Sequence, residues 1–243
     1  MSSCDDKPSR PGFFAIDIER TGPNYFSDVT FAIGYAYGPE SPSDDSEITY
    51  GQVILDLTLD LDFEHLESLS KEDKISIIRE KWSEKSFSLK TYDEFWSKNI
   101  DVLIQSQKTT EKFRFEAQMA NAFNSILEYA ESRFSDLIIV SDTIAFDTTH
   151  VNNILAVQSH QPLNYSRKGE YRSGVEVDSF AFGALGLPIG TPWSEYINQF
   201  NQKIYNTIAI YSDHDHQAKN DAKHILLTFL KTQKYLKDLK IKI

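Results

Sequence analysis

Asp17 and Glu19 stand two residues apart in Phe13-Phe14-Ala15-Ile16-Asp17-Ile18-Glu19, so on a strand both carboxylates project from the same face. Two like charges that close repel each other unless a cation lies between them, and carboxylate oxygens suit a hard divalent ion such as Mg²⁺ or Mn²⁺. The spacing alone also fits an exposed strand end, and Asp62-Phe63-Glu64, with the same spacing, reads as a solvated helix start. What sets the first pair apart is the apolar run before it and the turn signal Thr21-Gly22-Pro23-Asn24 behind it. A further acid, Asp147, ends Ser141-Asp142-Thr143-Ile144-Ala145-Phe146-Asp147, where a strand gives way to a helix. An acid there also serves simply as a helix-terminal charge, and Asp142 competes with it for any role in a site. The last group is His216-Gln217-Ala218-Lys219-Asn220-Asp221-Ala222. Five residues span about 140° of an ideal helix, so His216 and Asp221 reach one point only if His216 lies on the loop before the helix. From there an imidazole can accept a proton from water while Asp221 ligates a metal. His214 reads as an exposed loop residue.

The elements that must position these groups follow from periodicity. Residues 13–19 form a mostly buried first strand, and 29–37 and 48–57 form two more, joined by the breaker-rich loop 38–45. Residues 63–108 change to charged helical patterns and read as a helical insertion after strand 3, for which a lid and a partner surface are both open. An amphipathic helix over 111–134, a buried strand over 136–141, a helix over 146–158, a strand over 175–179, an irregular Gly/Pro-containing stretch and a final helix over 217–236 complete the order. This is an α/β pattern: a central mixed five-stranded sheet flanked by helices. Residues 1–11 read as a flexible N-terminal tail and 12–243 as a single domain.

Composition narrows the classes. The 243 residues carry 25 Lys and Arg against 36 Asp and Glu, a net charge of −11, which argues against a basic surface that coats long duplexes. The single cysteine, Cys4, excludes an intramolecular disulfide. With no apolar run near the roughly 18 residues of a membrane span and no signal-peptide pattern, a cytoplasmic or otherwise intracellular protein is expected, neither secreted nor in a membrane. The oligomeric state is open, a homodimer included.

Together the motifs resemble those of the DEDDh branch of the 3'-to-5' exonucleases, which have a ribonuclease H-like fold. Asp17-Ile18-Glu19-Arg20-Thr21-Gly22 is similar to its Asp-x-Glu-Thr-Thr-Gly motif, Phe146-Asp147 to its Phe-Asp, and His216-Gln217-Ala218-Lys219-Asn220-Asp221-Ala222 to its His-x-Ala-x-x-Asp-Ala. Gln217 stands where the tyrosine-using sister branch carries Tyr, which disfavours that branch. Val177-Asp178-Ser179 resembles an Asp-Thr pair on the family's fifth strand, and Ser141-Asp142 and Thr91-Tyr92-Asp93-Glu94-Phe95-Trp96 resemble segments of a phage and bacterial subgroup.

The resemblance implies a two-metal phosphodiesterase acting on a single-stranded RNA or DNA 3' end and using Mg²⁺ or Mn²⁺. Asp17 would bridge both ions, Glu19 and Asp221 would complete the first, Asp147 would hold the second, and His216 would be the general base. Arg20, Thr21, Gly22 and Phe146 become candidates for substrate contact, Arg20 touching phosphate or folding into an ion pair. Tyr25, Phe26 and Trp193 could stack on a base or pack in loops. Lys231, Lys234, Lys237, Lys240 and Lys242 could meet phosphates or simply solvate a helix end. A non-catalytic nucleic-acid-binding or scaffold protein on the same fold, and a metal-dependent endonuclease, are the alternatives.

Overall fold

A computed structural model describes residues 10–24, 27–188, 190–205 and 215–239. Cys4 and most of the tail, Tyr25, Phe26, His214, Lys240 and Lys242 lie outside the described residues. Strands β1 (Gly12–Arg20), β2 (Thr30–Pro39), β3 (Thr49–Leu55), β4 (Lys112–Phe113), β5 (Leu137–Ser141) and β6 (Gly174–Glu176) make one sheet in the order β4-β3-β2-β1-β5-β6. The mixed sheet is thus six-stranded among the described residues, one more than the sequence pattern suggested. The addition is β4, a two-residue strand paired in parallel with Ile54 and Leu55, and it occupies the start of the stretch expected to be helical from residue 111. The helix begins later because Gln118 Oε1 accepts the N–H groups of Arg114 and Phe115.

The helices are α1 (Phe63–Glu67), α2 (Lys71–Glu84), α3 (Leu89–Thr91), α4 (Ile100–Lys108), α5 (Glu116–Arg133), α6 (Ile144–Ala156), α7 (Val177–Ala184), α8 (Trp193–Phe200) and α9 (Ala218–Asp238), with a π-helical turn over Tyr92–Trp96. Two further departures from the sequence pattern have local causes. Strand β6 stops at Glu176, whose side chain accepts the N–H of Ser179 and caps α7, so Val177-Asp178-Ser179 lies on a helix rather than on a strand. Within the stretch read as irregular, α8 forms behind Pro192 and buries Tyr196 and Phe200 against α7 residues Ala181 and Phe182. Among the described residues, no helix is long and apolar enough to cross a membrane.

Strand β1 lies between β2, antiparallel, and β5, parallel, and its residues divide between two cores. Phe14, Ile16 and Ile18 pack with α5 and with Trp82 and Trp96 of the insertion. Phe13 and Ala15 pack with Val140 and the α9 residues Ala222, Ile225, Leu226 and Phe229. By the same alternation Asp17 and Glu19 face the α9 side. Their antiparallel partners are Gly34 and Ala32, with Ala36 opposite Ala15, so a run of small residues on β2 lets α9 approach closely. A Cβ on Gly34 would lie 1.8 Å from the Ala218 carbonyl oxygen, which is backbone and cannot rotate aside. Gly34→Ala is therefore expected to push the first turn of α9 off the sheet and destabilise the protein by about 1–3 kcal/mol. A urea titration would show it as a lower midpoint, and an unchanged midpoint would contradict the close approach.

Candidate active site

Three elements bring the acids together, each through a helix or strand face that is otherwise apolar. On α9 the buried stripe runs Ala218, Ala222, Ile225 and Phe229, and Asp221 lies on it, 4% exposed. On α6 the stripe is Val151, Ile154 and Leu155, with Asp147 on its N-terminal end, 2% exposed. Strand β1 supplies Asp17 and Glu19. His216 precedes α9 in the left-handed region at φ 54°, as the angular argument requires of a residue that must converge with Asp221. The ligating atoms of Glu19, His216 and Asp221 all lie within 4.8 Å of one another.

Electrostatics tie Asp17, Asp147 and Asp142 to this group. Burial first, and then the charges of Glu19, Asp147, Asp221 and Asp142, hold the Asp17 carboxyl well above the usual range. Burial again leads for Glu19, followed by Asp221, Asp147, Asp142 and Asp215. Asp147 is pushed up to about 7, chiefly by burial, against the opposing hydrogen bonds from Ser141 and Thr143. Both hydroxyls donate to Asp147 Oδ2, that of Thr143 at 3.1 Å. Asp17 Oδ2 is sealed from solvent and has no hydrogen-bond partner. A buried carboxylate oxygen left without a donor is costly, and a cation is the partner its chemistry lacks.

The sign of the resulting pH dependence follows from these directions. A carboxyl whose folded pKa is raised favours the folded state less and less as pH climbs past the unfolded value of about 4. For Asp147 the cost is complete once pH passes its folded value of about 7. In EDTA the melting temperature is expected to fall between pH 5 and 8, and saturating Mn²⁺ should remove most of that fall. A metal-free melting temperature that climbed over this range would contradict the geometry.

The four residues singled out for substrate contact part company. Arg20 is buried: Nε donates to Thr30 Oγ1 at 3.1 Å, Nη1 to the Gly22 carbonyl at 3.0 Å, and Nη2 to the Asp28 carbonyl at 2.6 Å and the Asn24 carbonyl at 3.3 Å. Thr21 is sealed, its Oγ1 accepting the Val29 N–H at 2.8 Å. A Cβ on Gly22 would run into the Asp28 carboxylate at 2.3 Å. These three brace the turn behind Glu19. Phe146 is 44% exposed beside Asp147, with the Arg20 guanidinium 6.0 Å from its ring centre and the His150 ring at 4.6 Å. Trp193 stands in the separate α7–α8 cluster against Tyr196. Lys234 and Lys237 form ion pairs with Asp238 and Glu40.

Sequence reasoning missed several contributors. Ser141, a strand-end hydroxyl, and Thr143, four residues before the acid, are placed to bond Asp147. His150 is buried, and burial followed by the Arg20 charge lowers its pKa to about 4, leaving a neutral imidazole under Phe146. Its signal was the i, i+4 spacing from Phe146 on the face that carries Asp147. The insertion also reaches the site. Trp96 Nε1 donates to the Arg20 carbonyl at 2.9 Å, and Trp96, Val102, Gln105 and Ser106 line a cavity of about 110 Å³ with Glu19 and His216.

No protein-family model and no curated protein matches the chain. Solved structures do. The nuclease domain of 3'hExo, a DEDDh family member bound to rAMP, superposes with a TM-score of 0.54 at 10% identity over 93% of each chain. This is the fold of a DEDDh exonuclease domain. The zinc-bound E. coli ExoI–ssDNA complex matches with a TM-score of 0.52 at 14% identity, over 95% of this chain and 41% of that one. In this sheet the two carboxylates of β1 stand on an inner strand, between β2 and β5.

Proposed function

We propose that the chain is a metal-dependent 3'-to-5' exonuclease that hydrolyses phosphodiester bonds from the 3' end of single-stranded RNA or DNA and releases nucleoside 5'-monophosphates. The observation that carries this reading is the grouping of Glu19, His216 and Asp221 within 4.8 Å, with Asp17 and Asp147 close enough for their charges to act on one another and Asp147 close enough to act on Glu19. The donor set fits divalent ions: it is all oxygen and one imidazole, and Asp17 Oδ2 is orphaned without a cation. Asp17, Glu19 and Asp221 would hold one Mg²⁺ or Mn²⁺, and Asp17 and Asp147 a second. When bound, such ions offset the charge that develops on the phosphate and on the attacking and leaving oxygens.

The chain's own groups do the rest. His216 accepts the proton of the attacking water. The bond that breaks joins phosphorus to the 3' oxygen of the penultimate nucleotide, so the phosphate leaves on the 5' side of the terminal nucleoside. Ser141 and Thr143 fix the Asp147 carboxylate, and the Arg20 lattice fixes the turn behind Glu19. Phe146, backed by His150, offers a base a stacking face of no sequence preference. Among structures of this fold, 3'hExo is bound to the nucleotide rAMP and ExoI to ssDNA.

The test is a 5'-end-labelled single strand, as RNA and as DNA, incubated with Mg²⁺ or Mn²⁺. Stepwise shortening from the 3' end with nucleoside 5'-monophosphates as product supports the reading. Binding without shortening of the strand would instead identify a non-catalytic binder, and internal cuts an endonuclease.

A further inference from the structure

We propose that Phe95, on the π-helical turn of the insertion, is a positioning residue for His216, which makes the insertion a working wall of the site rather than a lid or a partner surface. The inference rests on the reading of His216 as general base. Among the described residues no carboxylate or carbonyl orients the His216 ring by a hydrogen bond, the usual device for fixing a catalytic imidazole. What touches it is the Phe95 ring, edge to face, with centroids 4.8 Å apart and planes at 76°. His216 also sits at φ 54°, a backbone conformation that side-chain-bearing residues adopt rarely and hold only when their surroundings enforce it.

The support behind Phe95 is rigid. Its ring packs edge-on against Trp96 with centroids 4.8 Å apart, and Trp96 is buried against Phe31 and bonded through Nε1 to the Arg20 carbonyl, next to Glu19. Tyr92, at the other end of the turn, is fully buried and donates its hydroxyl to the Ile75 carbonyl of α2 at 2.7 Å. The Ser97 N–H reaches back five residues to the Tyr92 carbonyl at 2.8 Å, the widened turn that recurs at functional sites. Phe95 is thus held from two directions while its ring meets the imidazole.

The test uses Phe95→Ala and Phe95→Tyr, each alone, and Phe95→Ala combined with His216→Ala. Phe95→Ala should lower kcat by about 10- to 100-fold, the loss expected from a slightly misplaced catalytic group. KM for the oligonucleotide and the affinity for Mn²⁺ should stay unchanged, and Phe95→Tyr should restore the rate. In the double variant Phe95→Ala should add nothing to the loss from His216→Ala, because both act through one group. Phe95→Leu keeps the apolar volume without the flat edge and serves if Phe95→Ala does not fold. Wild-type turnover by either Phe95→Ala or Phe95→Leu, or a multiplied loss in the double variant, overturns the proposal. In the metal-free protein the His216 imidazole proton resonances should carry a ring-current shift that Phe95→Ala or Phe95→Leu removes. Full turnover by His216→Ala would overturn the general-base reading instead, and unmoved imidazole resonances would overturn the positioning whatever the activity.

Discussion

Asp17→Asn is expected to abolish hydrolysis at every Mg²⁺ and Mn²⁺ concentration while leaving a folded protein that melts higher than the parent in EDTA. The two effects share a cause. The Asp17 carboxylate sits at the centre of four other acids, and its Oδ2 atom is sealed without a partner. Asparagine removes one buried charge from that crowd and so relieves the metal-free protein. The same change withdraws the carboxylate that would hold both ions in the proposed mechanism. Charge stabilisation by bound metal is worth several kcal/mol, and at about 1.4 kcal/mol per factor of ten its loss costs at least ~10³-fold in rate. Single-turnover cleavage across a metal titration, with calorimetry on the same samples, reads both. Recovery of activity at high Mn²⁺ would mean that Asp17 does not hold the ions.

His216→Ala should behave differently. General-base catalysis contributes about 10²- to 10⁴-fold, so kcat should fall by that factor. The acids from β1, α6 and α9 remain in place, and Mn²⁺ binding by calorimetry and oligonucleotide binding by anisotropy should persist within a small factor. Near-normal turnover would remove His216 from the base role and leave its closeness to Glu19 and Asp221 as metal ligation alone.

How far the site was legible in the sequence depended on whether a residue's role is written in its own neighbourhood. The pair in β1 was readable because strand alternation puts Asp17 and Glu19 on one face, whatever that face packs against. His216 was placed before α9 by helix geometry, and Asp221 stood on an apolar stripe visible in the spacing of Ala218, Ala222 and Ile225. Arg20 was not readable. Its fate is set by carbonyls of Gly22, Asn24 and Asp28, whose directions exist only once the turn has closed. Phe95 and Trp96 make their contacts with His216, Phe31 and Arg20, distant in the chain and joined only by packing. The two-residue strand β4 and the end of β6 at Glu176 failed for a related reason. A short strand has little pattern of its own, and a single capping carboxylate decides where a helix starts.

The small residues that seat α9 on the sheet have a consequence for the order in which a ribosome delivers this protein. Asp17 is among the first groups of the described chain to emerge, and Asp221 and His216 follow roughly two hundred residues later. Sheet pairing between β1 and β2 is local and can form early, but it presents Asp17 and Glu19 on an uncovered face until α9 closes over Gly34. A nascent chain halted before that helix would hold the acids of β1 and α6 without the base or the last ligand. On the proposed mechanism such a half-made polypeptide would lack hydrolytic activity until the final helix docks.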